Sequence, residues 1–158
     1  MQSPADLRVS LDEFFKHIKP MFESIPFNQT LGISFDSISR EGVVFSFKPI
    51  DRLLGNPEHK VLHGGAICAV IDATGGAASM VGAYLNFLES GASAEDFKRI
   101  ERISTVNLHI DFLRPGVGES FTCQGILNRA GSKIISIRME VRNEKNVLIA
   151  LGGGSFIH

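Results

Sequence analysis

Residues 61–85 constrain this chain more than any other stretch. They hold one carboxylate, Asp72, and no Lys or Arg, with Gly at 64, 65, 75, 76 and 82. A run this apolar has to be enclosed, by lipid or by the rest of the protein. A central Asp costs about 2.5–3.5 kcal/mol in a membrane helix even on a lenient insertion scale. Residues 64–84 therefore read as a long helix buried inside protein, with no membrane span. A chain of 158 residues is long enough to bury it in one domain without disulfides or a metal.

The flanking segments supply the enclosure. Residues 7–18 carry Leu7, Leu11, Phe14, Phe15 and Ile18 at helical spacing and predict an amphipathic helix that Pro20 ends. Residues 21–31, with Pro26, read as a short helical turn. Residues 33–38 and 43–48 predict a hairpin around Ser39-Arg40-Glu41-Gly42, with Val43, Phe45 and Phe47 on its buried face. Residues 49–62 form a polar loop of the length that is often functional. After the central helix, residues 86–102 predict a second short helix with Ser93 as its N-cap. Residues 106–112, 121–128, 134–142 and 147–157 predict four strands in a meander, the first burying Val106, Leu108, Ile110 and Phe112. Strands do not alternate with helices, which excludes a doubly wound parallel fold. The class is α+β, an antiparallel sheet wrapped around one helix.

Composition narrows the function. A net charge of −1 gives no electrostatic draw towards nucleic acid or anionic lipid. Twelve Phe against one Tyr and no Trp point to rings in a core or an apolar slot. Cys68 and Cys123 fit no paired-ligand spacing, and two lone thiols suit a reducing, cytoplasmic compartment. The N-terminus lacks the apolar stretch of a signal peptide.

The chemistry concentrates at the start of the buried helix. Gly64 and Gly65 leave backbone N–H groups uncovered at the positive end of the helix dipole, a donor site for a developing oxyanion. Asp72 lies seven residues after Gly65, on the same face and ~10.5 Å further along the axis. An ionised Asp among Ala, Gly and Ile needs strong partners or a shifted equilibrium, which is costly for a purely structural role. An N–H on a carbonyl oxygen and a carboxylate acting on its carbon must lie within roughly 7 Å. One helix cannot supply both, so joint action needs two copies of the chain related by a twofold axis.

His63-Gly64-Gly65, six residues, then Asp72, in this order of elements, resembles the hotdog-fold acyl-CoA thioesterases of the phenylacetic-acid-degradation type. The resemblance implies a hotdog domain over 28–158 behind a helical extension over 1–27. It implies that Gly65 polarises the thioester carbonyl, that Asp72 is general base or nucleophile, and that His63 holds the loop and thioester. It also implies Asn56 near the water or carbonyl, and Thr105 beside the carboxylate. Gly64, Arg114, Arg129 and Lys133 are the implied substrate and CoA contacts. The implied partner is acyl-CoA, in a tunnel near a dimer interface that Phe87, Phe97 and the 86–102 segment shape; the Phe-rich composition favours a medium to long aliphatic chain, and an aryl-acyl group stays open. The implied assembly is a homodimer, with pairing of dimers into a tetramer. No metal or redox cofactor is implied, since CoA is part of the substrate. Two other readings stay open: a hotdog dehydratase or hydratase, and a non-catalytic acyl-CoA-binding protein.

Other patterns carry less. His59 and His63 have a metal-like spacing, but Lys60 stands where a zinc-protease motif needs Glu. Gly152-Gly153-Gly154 ends a strand with no helix after it, so it reads as a place of close backbone approach and not as a phosphate loop. Cys68 reads as a buried thiol and His109 as structural.

Overall fold

The computed structural model describes residues 11–91 and 98–157. Ser93, Phe97 and residues 7–10 lie outside the described residues. The elements run α1 (Leu11–Ser24), α2 (Pro26–Leu31), β1 (Ser34–Ile38), β2 (Gly42–Phe47), β3 (Leu54–Asn56), β4 (Val61–Leu62), α3 (Gly64–Ser90), β5 (Ser104–Phe112), β6 (Phe121–Ala130), β7 (Ile134–Asn143) and β8 (Leu148–Ile157). Six strands form one antiparallel sheet in the order β1-β2-β6-β7-β8-β5. The sheet wraps α3, as the sequence pattern predicts, and α3 packs against β2, β5, β6, β7 and β8. By length and composition α3 would suit a membrane, yet 67% of its most apolar window is buried in protein. Its apolarity matches the concave face of the sheet.

Glycines on both partners allow that contact. A Cβ on Gly125 of β6 would stand 3.0 Å from Ala78 Cβ and 3.1 Å from the Thr74 carbonyl oxygen. One on Gly152 of β8 would stand 2.7 Å from Ile71 Cγ2, and one on Gly75 of α3 would strike the Phe156 ring. The glycine run in β8 is thus a point of close approach, made mainly to side chains of the helix and of neighbouring strands.

Several features depart from the sequence pattern. Pro20 does not end α1, which continues to Ser24. The missing hydrogen bond and ring clash cost ~3 kcal/mol, but Pro20 faces solvent and Phe22 lies beyond it. Phe14, Ile18 and Phe22 are all buried, and full burial stabilises each by about 1.5–3 kcal/mol, so continuing the helix wins. Phe22 sits edge-on to Phe35 and Phe45, whose rings stack at 4.3 Å, and Phe14 stacks on Tyr84 at 4.0 Å. Second, α3 runs past Tyr84 to Ser90, where Gly91 at φ 69° provides a left-handed C-cap. Third, the last four strands are not a simple meander. β6, β7 and β8 follow one another, but β5 pairs with β8 at the far edge. The 49–62 loop is also structured, as a 3-10 turn at Asp51–Leu53 and the ribbon β3–β4.

The two sheet edges differ. On β1, Phe35 N–H donates to Glu23 and the Lys19 ammonium donates to the Phe35 carbonyl, so α1 covers that edge. Burial opposes ionisation of Glu23, but Lys19 and the Phe35 N–H hold its carboxyl below the ordinary value. β5 has no such cover among the described residues. Val106 is 55% exposed and Phe112 53%, against the buried face that their alternation predicts.

The helix seat is testable with adjacent glycines. Gly152→Val forces a side chain into Ile71 and is expected to destabilise by about 1–3 kcal/mol. Gly153→Val, where a Cβ meets nothing within 4 Å, is expected to be neutral or slightly stabilising. Urea denaturation of both variants checks the difference.

Candidate active site

The start of α3 is held by hydrogen bonds from both sides. His63 N–H donates to Leu53 O at 2.8 Å, and Leu62 N–H donates to Gly116 O at 3.0 Å. His63 is the N-cap residue, with φ −66° and ψ 135°. Gly65 N–H donates to His63 Nδ1 at 2.8 Å, which requires a neutral ring with its proton on Nε2. Ala66 and Ile67 N–H donate to His63 O at 3.0 and 3.3 Å. Of the N–H groups that a helix start leaves without intrahelical partners, that of Gly64 alone has no partner among the described residues. The donor that the sequence placed on Gly65 is therefore committed to the cap, and the uncommitted N–H is one residue earlier. Gly64 helps line a hollow of about 340 Å³, with Leu62, Ile67, Phe112 and Arg114 among others.

The His63 ring sits between two glycines. A Cβ on Gly65 would lie 2.9 Å from Nδ1, and one on Gly55 3.3 Å from Cδ2 and 3.0 Å from His63 Cα. Gly55 has no motif to mark it in the sequence, because its role depends on β3 folding back onto β4. Asn56 ends β3, and its Oδ1 accepts from His59 N–H at 3.2 Å. The Asn56 side chain thus braces the turn before β4, in which Lys60 adopts φ 49°.

Asp72 lies two turns along α3, half-buried on the face that the sheet leaves open. Thr105 Oγ1 donates to Asp72 Oδ1 at 2.7 Å. Strict alternation would put Thr105 on the outer face of β5 with Asn107, His109 and Asp111. The register of β5 against β8 shifts between Thr105 and Asn107, so Val106 is the extra residue of a β-bulge. The bulge turns Thr105 to the inner face, opposite Phe156 and over the carboxylate. The outer residues after it form a separate surface pair, His109 Nε2 to Asp111 Oδ1 at 3.2 Å.

The basic candidates do not form one cluster within the chain. Arg114 Nη1 donates to Leu148 O at 3.0 Å, and its side chain lines the Gly64 hollow. Arg129 and Lys133 line a different hollow of about 340 Å³ at the β6–β7 hairpin. Phe112 and Ile134 pair with Ala150 and Ile157, at opposite ends of β8. Seven residues of strand separate those ends by roughly 24 Å. Burial pushes the Cys123 thiol up to about 12 despite a hydrogen bond with Thr74; Cys68, which the sequence pattern reads as buried, is half-buried and stands four residues before Asp72 on α3.

The cap role of His63 has a direct test. His63→Ala removes the acceptor for Gly65 N–H and is expected to cost about 1 kcal/mol, or a Tm shift of ~2–4 °C for a chain of this size. His63→Asn, a strong N-cap, is expected to hold the Tm.

The geometry has counterparts among known proteins. A family model described as the Thioesterase superfamily matches residues 59–150, which include the His63 cap, Gly64, Asp72 and Thr105. The medium/long-chain acyl-CoA thioesterase YigI of Escherichia coli (strain K12) is 33% identical over 150 residues, covering 94% of this chain and 96% of that protein. A structure from Shewanella oneidensis, related to the thioesterase superfamily, superposes with a TM-score of 0.83 at 30% identity, covering 92% of this chain and 95% of that one. A structure from Syntrophus aciditrophicus, assigned as a thioesterase, gives 0.78 at 39% identity, covering 94% and 99%. With its helix-wrapping sheet and these relatives, the chain belongs to the thioesterase superfamily and has the hotdog fold.

Proposed function

We propose that the protein is an acyl-CoA thioesterase that hydrolyses medium- to long-chain acyl-CoA to the free acid and CoA, in an active site made by two copies of the chain. The observation that carries this reading is the pairing of one uncommitted N–H, at Gly64, with one braced carboxylate, at Asp72, on the same helix. The chain-length class follows the name of the Escherichia coli relative.

Gly64 and Asp72 are eight residues apart, or ~12 Å along the axis, too far to serve one carbonyl in one chain. The open edge of β5 supports a way to unite them. Thr105 marks the position of Asp72 in that strand, and Phe112 marks Gly64, since a Cβ on Gly64 would lie 3.5 Å from the Phe112 ring. A twofold axis through His109 pairs β5 with its copy in antiparallel register, Leu108 opposite Ile110 of the partner subunit; with the bulged Val106 taking no place of its own, Thr105 of one chain then opposes Phe112 of the other. Gly64 then faces Asp72 of the partner subunit. The same axis moves Arg114 to the end of the sheet that carries Arg129 and Lys133 of the partner subunit, where CoA phosphates have cationic partners. It also covers the apolar residues of β5 that the single chain leaves exposed.

In this arrangement Gly64 N–H holds the thioester oxygen at the positive end of α3, where negative charge develops. His63 keeps Gly65 N–H occupied and the helix start rigid. Asp72, oriented by Thr105, takes a proton from water as the water oxygen bonds to the carbonyl carbon. The C–S bond breaks and the proton passes to the departing thiolate. Attack by the carboxylate itself, through a mixed anhydride that water then cleaves, uses the same residues. Both routes need the ionised carboxylate, so turnover falls at acid pH.

Thiol release from acyl-CoAs between acetyl and palmitoyl, and from phenylacetyl-CoA, tests the reading. Turnover is expected to peak at medium to long chains and to fall by about 10²–10⁴ in Asp72→Ala, with the dimer mass retained. Binding of acyl-CoA without turnover by the wild type would instead make the protein a non-catalytic binder. A second pair isolates the donor. Proline is well tolerated at the first helical position, so Gly64→Pro is expected to fold, to lose its N–H and to slow turnover by about 10²–10³. Gly64→Ala keeps the N–H and is expected to keep most of the activity.

A further inference from the structure

Beyond the catalytic face, α1, the second half of α3 and the 98–101 segment enclose a cavity of about 280 Å³. Its inner wall is apolar, formed by Phe14, Ile18, Met21, Met80, Tyr84 and Ile100, and its remaining wall residues are charged or titratable and exposed. The two α3 residues in that wall stand on the same i, i+4 row as the carboxylate: Asp72, Gly76, Met80, Tyr84. Each step of four residues rises ~6 Å and turns ~40°, so the row winds from the open face at Asp72 round to the cavity wall. The position between Asp72 and the cavity is Gly76, where a Cβ would meet nothing within 4 Å. Along that row, then, no side chain stands between the carboxylate and Met80.

We propose that this cavity receives the distal part of the acyl chain, and that Gly76 keeps the way to it open. The proposal rests on the acyl-CoA reading above and deepens it. Whole-ligand pockets are usually ~300–1,000 Å³, so this cavity suits an apolar tail and leaves the CoA moiety outside. Met80 lies eight residues beyond Asp72 and Tyr84 twelve, or ~12 and ~18 Å at the helical rise. An extended chain advances ~1.3 Å per carbon from C–C bonds of about 1.5 Å. About nine carbons therefore reach Met80 and about fourteen reach Tyr84. A hexanoyl chain ends near Gly76, whereas a palmitoyl chain fills the cavity. The N-terminal helix α1, distant in sequence from the catalytic residues, becomes a determinant of chain length.

Two variants that obstruct the route at different points test this: Gly76→Leu on α3, and Met21→Trp, which fills the cavity from the half-buried side of α1. The readout is the ratio of kcat/KM for palmitoyl-CoA to that for hexanoyl-CoA, with equilibrium binding of both ligands measured alongside. A partly misfolded preparation lowers both substrates equally and leaves the ratio unchanged. Both variants are expected to lower the palmitoyl-to-hexanoyl ratio by about tenfold or more, the effect of a methylene or two without room, in turnover and in binding. An unchanged ratio in either variant overturns the proposal, because the tail then takes another path. Absence of turnover in the wild type overturns the thioesterase reading separately, and the binding ratio still decides the cavity.

Discussion

The structure depends on the burial of one long apolar helix against the concave face of a sheet. Neither element is stable alone: α3 has apolar side chains nearly all round, and the sheet has an inner face of Phe, Val, Ile and Met. Contact at this range requires places where side chains are absent. Gly75 on the helix and Gly125 and Gly152 on the sheet provide them, each within a few ångströms of a side chain from the opposite surface. Close packing of this kind tolerates small volume changes poorly. The helix position is therefore rigid, and the residues at its start and on its open face inherit that rigidity.

The proposed catalytic arrangement follows from how backbone hydrogen bonds are satisfied at one end of that helix. The cap by His63 accounts for the N–H of Gly65, and its carbonyl accounts for those of Ala66 and Ile67. Among the described residues one donor remains, at the positive pole of a 27-residue helix. Gly55 and Gly65 make room for the ring that performs the capping. Two turns on, a single β-bulge aims Thr105 at Asp72, an effect on one side chain that leaves His109 and Asp111 on the outer face exposed to solvent.

The edges of the sheet continue the same logic. An unpaired strand edge invites association. On β1 that risk is removed by Lys19 and Glu23 of α1, which bond both backbone groups of Phe35. On β5 no such cover exists among the described residues, and apolar side chains that alternate as if buried are exposed. One edge is closed by the chain itself, and the other is the edge on which the proposed two-copy active site rests. The helix α1 thus closes the β1 edge, contributes Phe14, Ile18 and Phe22 to the core, and roofs the cavity lined by Met80 and Tyr84.

Much of this was written locally in the sequence. The charge-free run with Asp72 at its centre determined an enclosed helix, and period-two alternation determined the sheet. His63-Gly64-Gly65 with Asp72 marked the helix start and the carboxylate, since capping and helical periodicity act over a few residues. Tertiary structure decided what depends on distant partners. Strand order was one such matter, because each strand presents the same apolar alternation and nothing local distinguishes β8 from β6 as the neighbour of β5. The continuation of α1 through Pro20 was another, decided by the burial of Phe22 against β1 and β2. The shift of the uncommitted N–H from Gly65 to Gly64 required the rotamer of the His63 ring. The approach of Thr105 to Asp72 required a bulge that alternation does not foresee. In each case the deciding energy comes from a contact between residues far apart in the chain, and only the folded molecule brings them together.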